Sequence, residues 1–243
     1  MIPNQDFPQG LSIVIPIFNE CDNIFKLFSK LEEFSVIADF PFHFILVDGC
    51  SSDGTPELIE QEINRLDMKN IDLVRMASRS GYGFDILQGL QMAKFDTAAW
   101  THADLQTDLN DLIIGYKLIS DSSFPCVVKG RRVNRAILER FFTFGMQIFT
   151  YFHLKVYLDD INAQPKIFKR SFYQSFLSDR APNDFSLDLF ALMQARANNI
   201  SIKSFDVFFN PRVAGVAKGG GGSWRNRVIL IKRTIKYILA TKK

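Results

Sequence analysis

Cysteine is scarce in this chain. Three occur in 243 residues, Cys21, Cys50 and Cys126, an odd number at unrelated spacings. That excludes a disulfide framework and suits a reducing compartment. Histidine is as rare: His43, His102 and His153 are scattered, and no CxxC pair occurs, which rules out a structural zinc site of the usual kind. Long apolar runs are missing too. The longest charge-free stretch in mid-chain, residues 141–154, has 14 residues, short of the roughly 18 that a membrane span needs. The first ten residues hold Asp6 and no basic run before an apolar segment, so no secretory signal is expected. There is no internal repeat, and the glycine tract at 219–222 is the only low-complexity segment. What remains is ordinary: 47% hydrophobic and 23% charged residues, with 24 Phe, which excludes a disordered or fibrous chain. One core is ample at this length.

Acidic residues are absent from one place. Residues 224–243 hold seven basic side chains and no acid. The remaining 223 residues carry 22 basic and 26 acidic groups, a net of −4. The basicity lies in the tail, and a nucleic-acid-binding body is not expected.

Short apolar runs alternate with helical periodicity through the first half. LSIVIPIF (11–18), HFILV (43–47), IDLVRM (71–76), TAAWT (97–101) and PCVVKG (125–130) read as strands. Between them, apolar positions from Ile24 to Leu31, Pro56–Leu66, Phe84–Ala93 and Leu109–Ile119 read as helices. This alternation predicts an α/β fold with a mainly parallel sheet flanked by helices, whose buried strands are continuous apolar runs. After Arg132 the pattern changes to an aromatic helical stretch (134–158), a short strand PKIFK (165–169), a helix over Leu187–Ala197 and an extended segment over 200–209.

In open α/β sheets ligands bind at the carboxyl ends of the strands. Here those ends read Phe18-Asn19-Glu20, VDGCSSDGT (47–55), RSGYG (79–83) and THADLQTD (101–108). Four consecutive ends thus supply carboxylates, glycines and Arg79 to one edge. Taken alone, Asp53 before Gly54-Thr55-Pro56 would cap a helix equally well. Asp104 and Gln106, two apart in what reads as an extended segment, would reach one ion together.

PIFNE (16–20), VDGCSSDGT and HADLQTD, in that order, resemble the motifs of family 2 glycosyltransferases of the GT-A fold. The similarity is greatest to the dolichyl- or polyprenyl-phosphate mannose and glucose synthases. GRR (130–132), DINAQPKIFKR (160–170) and RVAGVAK (212–218) look like later segments of that family. The resemblance implies an inverting, metal-dependent hexosyltransferase that moves sugar from a nucleotide-diphosphate donor to a lipid-linked or polyprenyl-phosphate acceptor. It places Pro16, Phe18, Glu20, Asp48, Asp53, Gly81, His102 and Asp104 at the nucleotide sugar. It puts Asp104, Gln106 and His102 at a divalent cation (Mn²⁺ or Mg²⁺), and Arg131, Arg212 and Lys218 at phosphates. Arg132 beside Arg131 leaves that register open by one residue.

Two departures bear on this reading. The family's first metal-motif Asp is His102 here, a residue that ligates Mn²⁺, hydrogen-bonds donor ribose or phosphate, or packs at a strand end. The second carboxylate of the VDD-type motif is Gly49. For catalysis, Asp184 and Asp188 in NDFSLDLF fall where related enzymes place an acidic pair. One of them would act as base toward a hydroxyl acceptor, whereas an anionic phosphate needs none. Otherwise they are an N-cap and a solvated helix position.

Trp224, Val228, Ile231, Ile235 and Ile238 form one apolar stripe opposite the basic residues of the tail. This pattern fits an amphipathic helix lying on an anionic membrane surface, or one packed on the body. The aromatic 134–158 stretch reads as a lipid contact or as core. The expected organisation is one catalytic domain over 1–223, its nucleotide-sugar half near 10–108 and acceptor half at 109–223, followed by the basic helix at 224–243. The enzyme would be cytoplasmic and peripheral at the inner face of a membrane. A sugar hydroxyl of a lipid-linked glycan, lipopolysaccharide or capsule is the alternative acceptor, and a non-catalytic GT-A scaffold bound to lipid is the alternative class. A dinucleotide oxidoreductase fits poorly, because Gly81-x-Gly83 lacks the third glycine.

Overall fold

A computed structural model describes residues 7–134, 152, 158–210, 232 and 234–239. The apolar runs form strands β1 (Leu11–Ile17), β2 (Phe42–Asp48), β3 (Ile71–Arg75), β4 (Thr97–Trp100), β5 (Cys126–Arg132), β6 (Lys166–Lys169) and β7 (Ser201–Val207). Helices α1 (Ile24–Ile37), α2 (Thr55–Leu66), α3 (Tyr82–Gln91) and α4 (Asp111–Ser120) connect the first five, and α5 (Leu187–Ala197) precedes β7. The seven strands make one sheet in the order β3-β2-β1-β4-β6-β5-β7. Pairing is parallel throughout β3-β2-β1-β4 and between β5 and β7, and β6 is antiparallel to both of its neighbours.

Alternating side chains of each central strand serve two cores. Ile13, Ile15 and Ile17 of β1 with Phe44 and Leu46 of β2 meet Leu27, Phe28, Leu31 and Phe34 of α1, Ile59 of α2, and Leu112 of α4. Val14, Ile45, Val47 and Trp100 meet Ile86 and Leu90 of α3 and Leu189 and Leu192 of α5. Helices therefore cover both faces, which is why β1 and β2 carry no alternating polar pattern. The carboxyl edge opens where β4 stops. Trp100 pairs with Val14, leaving Pro16 and Ile17 of β1 beyond the last β4 partner. Strand order reverses direction at this β1–β4 boundary, where open α/β sheets bind ligands.

The 134–158 stretch lies largely outside the described residues, as do Arg212, Lys218 and most of the tail. Within 234–239, Ile238 is fully buried in the core beside α3 and α5, with Tyr237 packed against the same cluster. Lys232 and Lys236 are exposed. The stripe expected to meet lipid is thus turned toward the body at Ile238, because a buried isoleucine gains as much from the protein's own core as from acyl chains.

Candidate functional site

The loops after β1 and β2 are tied together. The N–H of Asn19 donates to Ser51 Oγ (2.7 Å), and the N–H of Ser52 donates to Asn19 Oδ1 (2.8 Å). The N–H of Glu20 donates to Thr55 Oγ1 (2.9 Å). Asp53 accepts from Thr55 N–H (3.1 Å) and Cys21 N–H (3.3 Å), so its carboxylate ties the Cys21 turn to the start of α2, whose N-cap is Gly54 and not Asp53. Glu20 accepts from Asn23 Nδ2 (2.5 Å). Phe18 lies under the Arg79 guanidinium, 3.3 Å from ring centroid to Cζ. Phe18 and Arg79 therefore stack just past the end of β1, and Pro16 of that strand is half-buried.

Asp48 ends β2 and is 2% exposed. One oxygen accepts Ser51 N–H (3.0 Å), while Oδ1 is buried without a hydrogen-bond partner. Next to it, Gly49 faces α3: a Cβ there would meet Asp85 Oδ2 at 2.5 Å and Arg79 Nη1 at 3.2 Å. Asp85 is also 2% exposed, and its Oδ1 is likewise buried and unpartnered. Burial raises its pKa to about 6, with Arg79 pulling down and Asp48 pushing up. Sequence reasoning missed Asp85, since nothing in the pattern signals that a helix position 36 residues on fills the space beside Gly49.

The segment after β4 is not extended as its spacing suggested. Leu105 takes φ 55°, and Asp104 Oδ1 accepts the Gln106 N–H (3.2 Å), making a tight turn. A left-handed leucine costs about 1–2 kcal/mol, and such strain is commonest at functional sites. Gln106 is joined to Asn210 twice, through Asn210 N–H to Gln106 O (2.7 Å) and Gln106 Nε2 to Asn210 O (3.2 Å). The chain therefore enters the 211–218 segment from beside this motif.

His102 has one nitrogen committed. Gln164 Nε2 donates to Asp188 Oδ1 (3.1 Å) and to Tyr82 Oη (3.2 Å). Tyr82 Oη lies 2.9 Å from His102 Nε2. Burial, together with the charges of Asp188 and Asp104, holds the Tyr82 phenol well above its ordinary pKa. Tyr82 thus links the Gln164–Asp188 pair to His102. Nδ1 faces Asp104 Oδ2 at 3.9 Å.

Asp184 and Asp188 have separate fates. Asp184 is exposed and accepts the Ser186 N–H (2.8 Å). Its loop packs on the turn before α3: a Cβ at Gly81 would meet Asn183 O at 2.4 Å, and one at Gly83 would meet Pro182 O at 2.5 Å. Phe185 stacks on Tyr82, centroids 4.5 Å apart, so Asp184 stands beside the Tyr82–His102 pair. Asp188 is 2% exposed and pairs with fully buried Lys166 at 2.6 Å, also accepting from Trp100 Nε1 (3.2 Å). It is neither an open carboxylate nor a solvated helix position. Arg131 is exposed and paired with Asp206 of β7, whereas Arg132 is bound by Asp160 and stands over Phe209.

Among the described residues no three His, Cys, Asp or Glu side chains group as a metal site. Asp104 and Gln106 offer oxygen donors of the kind a hard cation takes, and Mg²⁺-type ions draw the rest from phosphate and water. The donor set fits a cation shared with a diphosphate.

Residues 12–174 match the family described as Glycosyl transferase family 2. The chain belongs to that family. It is 24% identical over 179 residues to an undecaprenyl-phosphate 4-deoxy-4-formamido-L-arabinose transferase of Pseudomonas fluorescens, covering 72% of this chain and 51% of that protein. It is 26% identical over 96 residues to a dolichol-phosphate mannosyltransferase of Pyrococcus furiosus, covering 40% and 26%. The chain thus matches about half, or less, of these relatives. Among solved structures it resembles glucosyl-3-phosphoglycerate synthase from Mycobacterium tuberculosis in complex with Mn²⁺, UDP and phosphoglyceric acid (TM-score 0.73, 13% identity, 96% of this chain and 78% of that one). It also resembles S. aureus TarS 1-349 in complex with UDP-GlcNAc (TM-score 0.59, 17% identity, 85% and 60%). The fold is GT-A, as the family 2 resemblance implies.

Proposed function

We propose that this chain is an inverting glycosyltransferase that moves a hexose from a nucleotide-diphosphate sugar to a polyprenyl phosphate at the cytoplasmic face of a membrane. The observation behind it is the convergence of Asp48, the Phe18–Arg79 stack and the Asp104–Gln106 turn on one sheet edge. The two curated relatives are named for transfer to undecaprenyl and dolichol phosphate.

Asp48 Oδ1 accepts from the donor's base or ribose, its other oxygen being fixed by Ser51. Asp104 and Gln106 hold a divalent cation, Mn²⁺ or Mg²⁺, which when bound offsets the charge of the departing diphosphate. His102, its ring held by Tyr82, stands beside Asp104, with Nδ1 3.9 Å from Oδ2. Arg131 or Arg132, with Arg212 and Lys218, serve the acceptor and leaving phosphates. A phosphate acceptor is already anionic and attacks without a base. Asp184, exposed beside Tyr82 and Phe185, favours a second reading in which a sugar hydroxyl is deprotonated there. The test is transfer of radiolabelled hexose from UDP- and GDP-sugars to undecaprenyl phosphate with Mn²⁺. Label should move to the organic phase; label reaching only water-soluble glycan or free hexose would reject the polyprenyl acceptor.

A further inference from the structure

The Gly49–Asp85 contact assigns a role to a residue outside the family motifs. The space into which a side chain at position 49 would project is filled by the carboxylate of Asp85, 2.5 Å from that Cβ position. Asp85 reaches it from the first turn of α3, 36 residues away in sequence. Asp48 and Asp85 each keep one buried oxygen without a hydrogen-bond partner.

Such groups are costly. An unsatisfied buried acceptor destabilises by about 1–3 kcal/mol, and more when charged. Two like charges near one another add to this. Asp111 in α4 also keeps a buried unpartnered oxygen, so what sets Asp85 apart is its place: with Arg79 it surrounds Gly49 at the end of β2, close enough to Asp48 for the two charges to interact. Arg79 beside it spreads over Phe18. The pair is thus arranged for partners that the protein does not itself supply.

We propose that Asp85 is the second carboxylate of the nucleotide pocket, relocated from the β2 end to α3, and that it selects with Asp48 a base bearing an imino N–H. This rests on the reading of the chain as a nucleotide-sugar transferase. The chemistry follows from the two oxygens. An ionised carboxylate accepts an N–H, and a neighbouring carboxyl that keeps its proton donates to a carbonyl. Uracil at N3–H and guanine at N1–H present an imino donor beside a carbonyl. Adenine and cytosine present a bare ring nitrogen at the matching position and would meet a carboxylate with a lone pair. Burial raises the Asp85 carboxyl to about 6, so it keeps its proton to a higher pH than an ordinary carboxyl does.

Calorimetric titration of UDP, GDP, ADP and CDP with Mn²⁺ tests the assignment on wild type, Asp85→Asn, Asp85→Ala, Gly49→Asp and the double variant Gly49→Asp/Asp85→Ala. UDP or GDP should bind wild type more tightly than ADP or CDP. Asp85→Asn and Asp85→Ala should lose about tenfold or more for that nucleotide, as expected for a hydrogen bond to a charged group. Gly49→Asp should weaken binding by collision with Asp85, and the double variant should return to within about threefold of wild type, the signature of two coupled neighbours. The melting temperature of Asp85→Asn should equal or exceed that of wild type. Wild-type affinity in Asp85→Ala, no recovery in the double variant, or a lower melting temperature for Asp85→Asn would overturn the assignment. Absence of binding by all four nucleotides to wild type would overturn it together with the proposed activity.

Discussion

Asp188 and Asp184 differ by four positions in sequence and by everything else in environment. Asp188 neutralises Lys166, whose amine is pushed below its ordinary pKa by burial, with Asp188 opposing that shift. Asp188→Asn would strand a buried ammonium and should cost about 3–5 kcal/mol of stability in chemical denaturation. Asp184→Asn should leave the denaturation midpoint unchanged. Its turnover with a polyprenyl phosphate should change little, whereas a fall of about 10²–10⁴-fold would identify a general base and hence a hydroxyl acceptor. Asp85 makes a pH prediction of its own. Its folded pKa, near 6, exceeds the unfolded carboxylate value of about 3.9. Its contribution is therefore intact below about pH 4 and is lost as pH rises through 6. The stability gap favouring Asp85→Asn over wild type should widen between pH 5 and 7.5 by about 1.4 kcal/mol, roughly half of the full effect. A gap independent of pH would show that the carboxyl titrates normally.

Elements were legible where one physical rule governs them. Buried parallel strands must be apolar runs, so LSIVIPIF and HFILV mark β1 and β2 to within one residue, and α5 spans the predicted Leu187–Ala197. The insertion of antiparallel β6 between β4 and β5 had no local signal, because a strand's own sequence does not name its neighbours. Asp184 lies in the turn ahead of α5, which begins at Leu187, so Asp184 and Asp188 share no helix face. Likewise the turn at Leu105 is set by the Asp104 carboxylate on the Gln106 N–H, not by any glycine or proline. The contact between the 182–185 loop and the start of α3 is also tertiary. Gly83→Ala would drive a Cβ to 2.5 Å from Pro182 O and 2.7 Å from Asp184 O, both backbone atoms. It should destabilise by about 1–3 kcal/mol and weaken the Tyr82–Phe185 stack. A near-ultraviolet spectrum and melting curve identical to wild type would show that the loop yields freely.

For the whole molecule, the charge asymmetry remains the main pointer to a surface. No helix among the described residues is long and apolar enough to cross a membrane. Because Ile238 is fully buried in the core, truncating the tail would remove core packing worth about 2 kcal/mol and confuse membrane binding with unfolding. Reversing the exposed charges avoids this. Wild type should float with anionic vesicles at low salt, fail with neutral ones, and detach as salt rises, each lysine contributing about 1 kcal/mol near the surface. Lys232→Glu/Lys236→Glu should lose flotation while keeping nucleotide affinity. Equal flotation of both proteins would place the membrane contact elsewhere in the chain.

The proposed metal-linked nucleotide site at the carboxyl edge of β1, β2 and β4 depends most on Asp104. The decisive measurement is isothermal calorimetry of UDP and GDP with and without Mn²⁺, on wild type and Asp104→Ala. One of the two nucleotides should bind wild type only when Mn²⁺ is present, and Asp104→Ala should abolish that metal-dependent binding without lowering the melting temperature. Metal-independent binding, or unchanged affinity in Asp104→Ala, would contradict the site as described.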